Sequence, residues 1–132
     1  MKKINKNIKS DSGAHPSHNC RAIVVGCMDF RLRSGIRKWT AKLEGGFDRL
    51  AIAGGVKNLP FVLDQVELSY KLHHIDEVYL INHEDCGTYG EEGTFEKHKQ
   101  DLSFAKKIIG QKFPKLKIVT LFQKLNGEFT EL

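Results

Sequence analysis

Runs of apolar residues alternate with amphipathic stretches along most of the chain. Four short runs rich in β-branched residues predict buried strands, and the stretches between them repeat their apolar residues at helical spacing. The predicted strands span residues 21–26, 49–53, 77–82 and 117–122. The predicted helices span residues 32–43, 58–74 and 94–113. Their ends are marked by glycine, histidine and proline, in that order.

The order strand, helix, strand, helix, strand, helix, strand is typical of a parallel sheet with right-handed crossovers. We therefore predict an α/β fold with a mainly parallel, four-stranded sheet flanked by helices. The Asn126-Gly127 pair near the end of the chain predicts a hairpin, which would add a fifth, short antiparallel strand. In such sheets, functional side chains collect at the carboxyl ends of the strands.

Length and composition fit one globular domain, since the chain has 132 residues, 40% of them hydrophobic. Residues 1–19 are polar and basic and predict a flexible N-terminal arm, whereas residues 20–132 predict a single domain. No apolar run approaches the roughly 20 residues of a membrane span. The basic N-terminus also lacks the apolar segment of a signal peptide. We therefore expect a soluble, cytoplasmic protein.

The net charge of +5, from 21 Lys and Arg against 16 Asp and Glu, raises the question of nucleic-acid binding. The lysines are spread over the arm and the third predicted helix, where they mix with acidic residues. Neither an RNA-binding aromatic motif nor a helix-turn-helix pattern accompanies them. The charge therefore indicates solvated surfaces, and we predict no specific nucleic-acid partner.

Three cysteines, an odd number without a secretory signal, argue against a disulfide framework and favour metal binding or catalysis. Cys27 follows the first predicted strand, and His83 and Cys86 follow the third, so all three should meet at one edge of the sheet. Two Cys and one His with an open fourth position form one of the catalytic zinc arrangements. The soft thiolates favour zinc over magnesium or calcium.

Further candidates surround these three predicted zinc ligands. Asp29 and Arg31 follow Cys27 at alternating positions, which would point both toward the metal. Gly87 would let the chain bend sharply after the ligands. Gly54 and Gly55 are weaker candidates, together with Gly87, for binding the substrate, since close packing beside the site explains a glycine pair equally well.

These residues carry a resemblance to a known family. The segments Cys27–Arg31 and His83–Cys86 resemble the C-x-D-x-R and H-x-x-C motifs of the β-class carbonic anhydrases. Residues 53–55, Ala-Gly-Gly, are similar to the turn that follows the second strand of that family. The resemblance extends over about residues 20–125. It implies zinc as the cofactor, reversible hydration of carbon dioxide to bicarbonate, and a homodimer or a larger assembly.

The residue types suit that chemistry. Zinc lowers the pKa of bound water toward about 7, which supplies hydroxide as the nucleophile at neutral pH. Asp29 would accept a hydrogen bond from this hydroxide, and Arg31 would keep Asp29 ionised and directed away from the metal. The resemblance also implies a closed state in which Asp29 is the fourth zinc ligand.

Two alternatives stay open. One is hydrolysis of a carbon dioxide analogue such as carbonyl sulfide or carbon disulfide, and the other is a non-catalytic relative with a closed zinc site. The chain departs from the family pattern at Ala51-Ile52, where Arg-Asn is usual. The sequence of residues 1–19 also predicts no counterpart of the long N-terminal helices that many members have. A phosphatase-like or rhodanese-like cysteine enzyme is disfavoured, because Met-Asp-Phe after Cys27 does not build an anion-binding loop.

The remaining cysteine and histidines are interpreted as structural. Cys20 belongs to neither motif and lacks the candidate ligands that accompany Cys27. His98 should face the core, and the His73-His74 pair should close a helix, where histidine complements the helix dipole. His15 and His18, in the arm, could scavenge metal, although solvent exposure is favoured. Tyr89 and Glu84 are near enough to the ligands to relay protons, but we do not assign them that role.

Overall fold

The computed structural model describes residues 18–132, so most of the predicted arm lies outside the described residues. The described strands are β1 Ala22–Gly26, β2 Phe47–Ala51, β3 Glu77–His83, β4 Lys117–Gln123 and β5 Phe129–Glu131. The described α-helices are α1 Arg33–Thr40, α2 Leu59–His73 and α3 Phe95–Lys112. Short 3₁₀ turns lie at Phe30–Leu32, Gly55–Lys57 and Gly90–Glu92.

The five strands form one sheet in the order β2-β1-β3-β4-β5. The first four strands pair in parallel, and β5 pairs with β4 in antiparallel orientation. The predicted α/β class, the parallel sheet and the fifth strand are therefore confirmed. In the register of the sheet, Gly26 of β1 lies beside Ala51 of β2, and Val25 lies beside Leu80 of β3. The carboxyl ends of β1 and β3 consequently meet at one edge.

Helices cover both faces of the sheet. Residues of β1 and β3 alternate between the two faces, and both strands are almost fully buried. Under α2 and α3, the core comprises Ile23, Val25, Val62, Val66, Val78, Leu80, Leu102, Ala105 and Ile109. Under α1, the core comprises Ala22, Val24, Leu32, Ile36, Tyr79, Ile81 and Leu121. Because β1 and β3 are central strands with helices on both sides, their sequences are near-continuous apolar runs.

The second strand is displaced from its predicted position. It spans Phe47–Ala51 rather than residues 49–53, because β2 is an edge strand and is only partly buried. The polar residue Asp48 therefore lies within it. The backbone N–H of Ile52 still bonds the carbonyl of Gly26 at 2.9 Å, after which the chain turns away from the sheet.

The first helix is shorter than its apolar pattern predicts. It ends at Thr40, whose hydroxyl bonds the Ile36 carbonyl at 2.7 Å. Leu43 is nevertheless buried, because its backbone N–H bonds the Thr40 carbonyl in a tight turn at 2.9 Å. The third helix begins as predicted, with the Thr94 hydroxyl accepting a bond from the Lys97 N–H at 3.1 Å. No helix within residues 18–132 is both long and apolar enough to cross a membrane.

Candidate metal centre

The three predicted ligands lie together at the carboxyl edge of the sheet. One ligand atom each from Cys27, His83 and Cys86 lies within 4.8 Å of the other two, and all three residues are buried. Cys27 directly follows β1, His83 is the last residue of β3, and Cys86 lies in the turn after it. That turn reverses at Asp85, which has a left-handed backbone with φ of 55°.

The imidazole of His83 is oriented for ligation. Its Nδ1 lies 2.6 Å from the carbonyl oxygen of Glu84. Because a carbonyl only accepts, Nδ1 carries the proton and Nε2 presents a lone pair. This Nε2 is buried and has no hydrogen-bond partner among the described residues. Burial also lowers the pKa of His83, so the ring stays neutral, as a metal ligand must be.

The thiol of Cys27 is held by the backbone of the neighbouring turn. The N–H of Gly54 donates to Cys27 Sγ at 3.4 Å. Burial raises the pKa of the Cys27 thiol, and the adjacent Cys86 adds to the effect. A divalent cation between the two sulfurs would reverse this balance by favouring both thiolates.

Gly54 and Gly55 are required by the shape of this turn. Both have left-handed backbones, with φ of 81° and 57°. A Cβ atom at Gly55 would lie 2.6 Å from Oδ1 of the buried Asn82. The two glycines therefore shape the backbone behind Cys27, whereas Gly87, where a Cβ would meet nothing within 4 Å, lies beside open space.

Asp29 and Arg31 form a close ion pair at the rim of the cluster. The Arg31 Nη2 donates to Asp29 Oδ2 at 2.7 Å, and Nε donates to Oδ1 and Oδ2 at 3.1 and 3.2 Å. The backbone N–H of Arg31 also donates to Asp29 Oδ1 at 2.9 Å. These hydrogen bonds lower the pKa of Asp29 to about 2. The pair arises from a 3₁₀ turn, rather than from the extended alternation that the sequence suggested.

A second carboxylate, which the sequence analysis did not single out, anchors the same arginine. Arg31 Nη1 donates to Asp85 Oδ2, and Nη2 donates to the Asp85 carbonyl, both at 3.0 Å. Arg31 thus connects the loop after β1 with the loop after β3. The only sequence signal was an acidic residue inside the H-x-x-C segment, which spacing alone cannot pair with Arg31.

A cavity of about 680 Å³ opens beside the cluster. Its lining includes Cys27, Asp29, Arg31, Asp85 and Gly87. Asp29 therefore faces a space that is large enough for a small substrate and water. Its carboxylate is not part of the three-atom ligand group found among residues 18–132, because Arg31 holds it at the rim.

A buried polar network supports the centre from behind. Asn82, directly before His83, donates through Nδ2 to the Tyr89 hydroxyl at 3.0 Å and lies 2.9 Å from His98 Nδ1. The Tyr89 hydroxyl donates in turn to Asp101 Oδ2 at 2.8 Å. His98 faces the core, as predicted, and Tyr89 belongs to this network rather than to the cavity lining.

The donor set fits a thiophilic divalent cation. Two buried sulfurs and an unpartnered imidazole nitrogen converge within bonding reach of one ion, and this combination suits zinc. A buried nitrogen without a partner is otherwise costly, which a metal bond would relieve. The fold and the site together define an α/β domain with a Cys-His-Cys cluster at the carboxyl edge of a parallel sheet.

Comparison with known proteins identifies the family. The profile of the family described as "Putative carbonic anhydrase" matches residues 17–132 of this chain, so the chain belongs to that family. An uncharacterised protein of Rickettsia bellii is 28% identical, over 99% of this chain and 93% of its own length. An uncharacterised protein of Rickettsia conorii is also 28% identical, over 96% of this chain and 79% of its own length.

Solved structures of carbonic anhydrases share the fold. The enzyme of Glaciozyma antarctica superposes with a TM-score of 0.66 at 22% identity, over 92% of this chain and 88% of its own. The enzyme of Streptococcus mutans gives 0.62 at 18% identity, over 89% and 86%. The β-carbonic anhydrase isoform I of Trichomonas vaginalis gives 0.61 at 19% identity, over 99% and 86%. The resemblance inferred from the two motifs is thereby confirmed.

Proposed function

We propose that the protein is a zinc-dependent carbonic anhydrase, which hydrates carbon dioxide reversibly to bicarbonate and a proton. The observation that carries this proposal is the convergence of Cys27, His83 and Cys86 beside the Asp29–Arg31 pair. Family membership and the shared fold support it. In this proposal Cys27, His83 and Cys86 hold zinc, whose charge acidifies water enough to make it a nucleophile near neutral pH.

The side chains at the rim of the cluster orient the attacking water. Asp29 has four hydrogen bonds from Arg31, so its carboxylate stays ionised at neutral pH and keeps a fixed direction. It accepts a hydrogen bond from the attacking water and orients that water toward carbon dioxide in the cavity. Arg31 prevents Asp29 from turning into the cluster, and Asp85 fixes Arg31 from the opposite loop.

Fixed hydrogen-bond acceptors are effective in catalysis because they need no reorganisation during the reaction. Asp29 meets this condition, since its partner Arg31 lies in the same turn and is itself anchored to Asp85 in the loop after β3. The cavity beside it would hold carbon dioxide, and Gly87 in the lining leaves room because it has no side chain.

Two substitutions test the proposal by separating metal binding from turnover. Cys27→Ser should lose the zinc of this centre together with carbon dioxide hydration, whereas Asp29→Asn should keep that zinc and lose most hydration. Metal content measured on the purified variants, with stopped-flow hydration rates, checks both results. Cys20→Ser is the matched control and should keep the hydration rate. Full activity in a Cys27→Ser protein that binds at least one zinc fewer than the unaltered protein would overturn the proposal.

A further inference from the structure

A second group of metal-ligating side chains lies at the opposite edge of the sheet, where the parallel strands begin. One ligand atom each from Cys20, Asp48 and His73 lies within 4.8 Å of the other two. Cys20 precedes β1, Asp48 is the second residue of β2, and His73 is the last residue of α2. Three separate elements thus bring a thiol, a carboxylate and an imidazole to one place.

Asp48 organises this group. Its Oδ2 accepts hydrogen bonds from the Ser69 hydroxyl and from His73 Nδ1, both at 2.6 Å. Because both bonds go to Oδ2, Oδ1 is left for a third partner. Burial raises the pKa of the nearby Cys20 thiol, and the negative charge of Asp48 raises it further. A divalent cation between them would remove this repulsion and stabilise the thiolate.

A second imidazole adjoins the group. The Nε2 of His18 lies 3.1 Å from the Nε2 of His73, and the two rings meet edge to face. His18 comes only two residues before Cys20, and its contact with His73 makes it the candidate for a fourth ligand. In tetrahedral sites, zinc is bound by four ligands, which include thiolate, imidazole and carboxylate groups.

We propose that Cys20, Asp48 and His73, with His18 as the fourth ligand, form a second site for zinc or a similar thiophilic cation. The side chains of His73 and Asp48 are 28% and 31% exposed, so an ion has a path from solvent. Binding forms a sulfur–metal bond and releases the Cys20 proton to solvent. The bound ion would tie the segment before β1 to both β2 and α2.

This site is independent of the proposed catalytic centre, because the two ligand sets share no residue and lie at opposite edges of the sheet. It also gives Cys20 a role that the sequence did not indicate. Without metal, the same contacts amount to a hydrogen bond between His73 and Asp48 at the end of α2, with Cys20 beside it.

The stoichiometry of zinc binding distinguishes a second metal site from contacts that hold no metal. The full chain is stripped of metal and titrated with zinc against a chromophoric chelator. We expect two equivalents for the unaltered protein, one for Cys20→Ser, one for Cys27→Ser and none for the double variant. One equivalent in the unaltered protein that Cys27→Ser abolishes would overturn the proposal, as would a Cys20→Ser protein that still binds two.

A pair of neighbouring histidines provides a matched control. His73→Asn should lose the second equivalent, whereas His74→Asn, at an exposed position directly after it, should retain it. In the Cys27→Ser background, zinc should raise the urea midpoint, and adding His73→Asn should abolish that rise. If the second equivalent behaves as expected but the protein does not hydrate carbon dioxide, the proposed function fails while this site stands.

Discussion

Replacing Gly55 with alanine should damage the metal centre through the backbone behind it. A methyl group at this position would lie 2.6 Å from Oδ1 of Asn82 and 3.2 Å from the Ile81 carbonyl. The first distance is too short for any side chain, so Asn82 must move. Asn82 is buried and directly precedes His83, so its displacement also disturbs the proposed zinc ligand.

The magnitude follows from two contributions. Alanine in a left-handed backbone costs about 1–2 kcal/mol. Displacing Asn82 breaks at least one of its bonds to the Val56 N–H, the Tyr89 hydroxyl and His98, which costs a further 1–3 kcal/mol or so for a buried polar group. We therefore expect Gly55→Ala to lower the free energy of unfolding by about 2–5 kcal/mol.

Gly90 offers a matched control. Its backbone has φ of 60°, close to the 57° of Gly55, but a Cβ there would meet nothing within 4 Å. Gly90→Ala should therefore show only the backbone cost of about 1–2 kcal/mol. Urea unfolding of the two variants measures the difference, which corresponds to a midpoint shift of about 1 M for an m-value of about 2 kcal/mol/M. Equal losses in both variants would refute the argument from close approach to Asn82.

Three further predictions concern single side chains. Arg31→Lys keeps the charge but loses the several guanidinium N–H donors that hold Asp29. The rate of carbon dioxide hydration should therefore fall about 10–100-fold while zinc stays bound. The control Arg21→Lys should leave the stopped-flow rate unchanged. Tyr89→Phe removes one buried and one partly buried hydrogen bond and should lower the free energy of unfolding by about 1–3 kcal/mol, measured with urea. A loss below about 0.5 kcal/mol would contradict the role of the network. Two lysines lower the pKa of Glu67 to about 2, so its stabilising effect should be lost as the pH falls from about 4.5 to 2. The urea midpoint of Glu67→Gln should then change less over that range than that of the unaltered protein, and parallel curves would contradict this.

The fold could be predicted from the sequence because its signals are local. The apolar runs of β1, β3 and β4 are buried on both faces, and their order specifies a parallel sheet. The edge strand β2 was displaced by two residues because only part of it is buried, so its polar residues carry no clear pattern. The two motifs also predicted that the three candidate ligands meet at one edge of the sheet, because neighbouring parallel strands end at the same edge.

Contacts between distant loops were not predictable. Asp85 pairs with Arg31 across 54 positions, and Asp48 pairs with His73 across 25, with no periodicity to mark either contact. The homodimer, the absence of a nucleic-acid partner and the cytoplasmic location stay predictions, since a single chain bears on none of them. The roles of Gly54, Gly55 and Gly87 toward substrate are likewise predictions.

The central claim is tested most directly by the rate of carbon dioxide hydration of the zinc-loaded protein, followed by stopped flow from about pH 7 to pH 9. We expect hydration well above the uncatalysed rate that rises with pH, because deprotonation of the attacking water generates the nucleophile. Carbonyl sulfide and carbon disulfide are assayed on the same preparation. No hydration of carbon dioxide at any pH, with zinc bound at Cys27, His83 and Cys86, would contradict the claim.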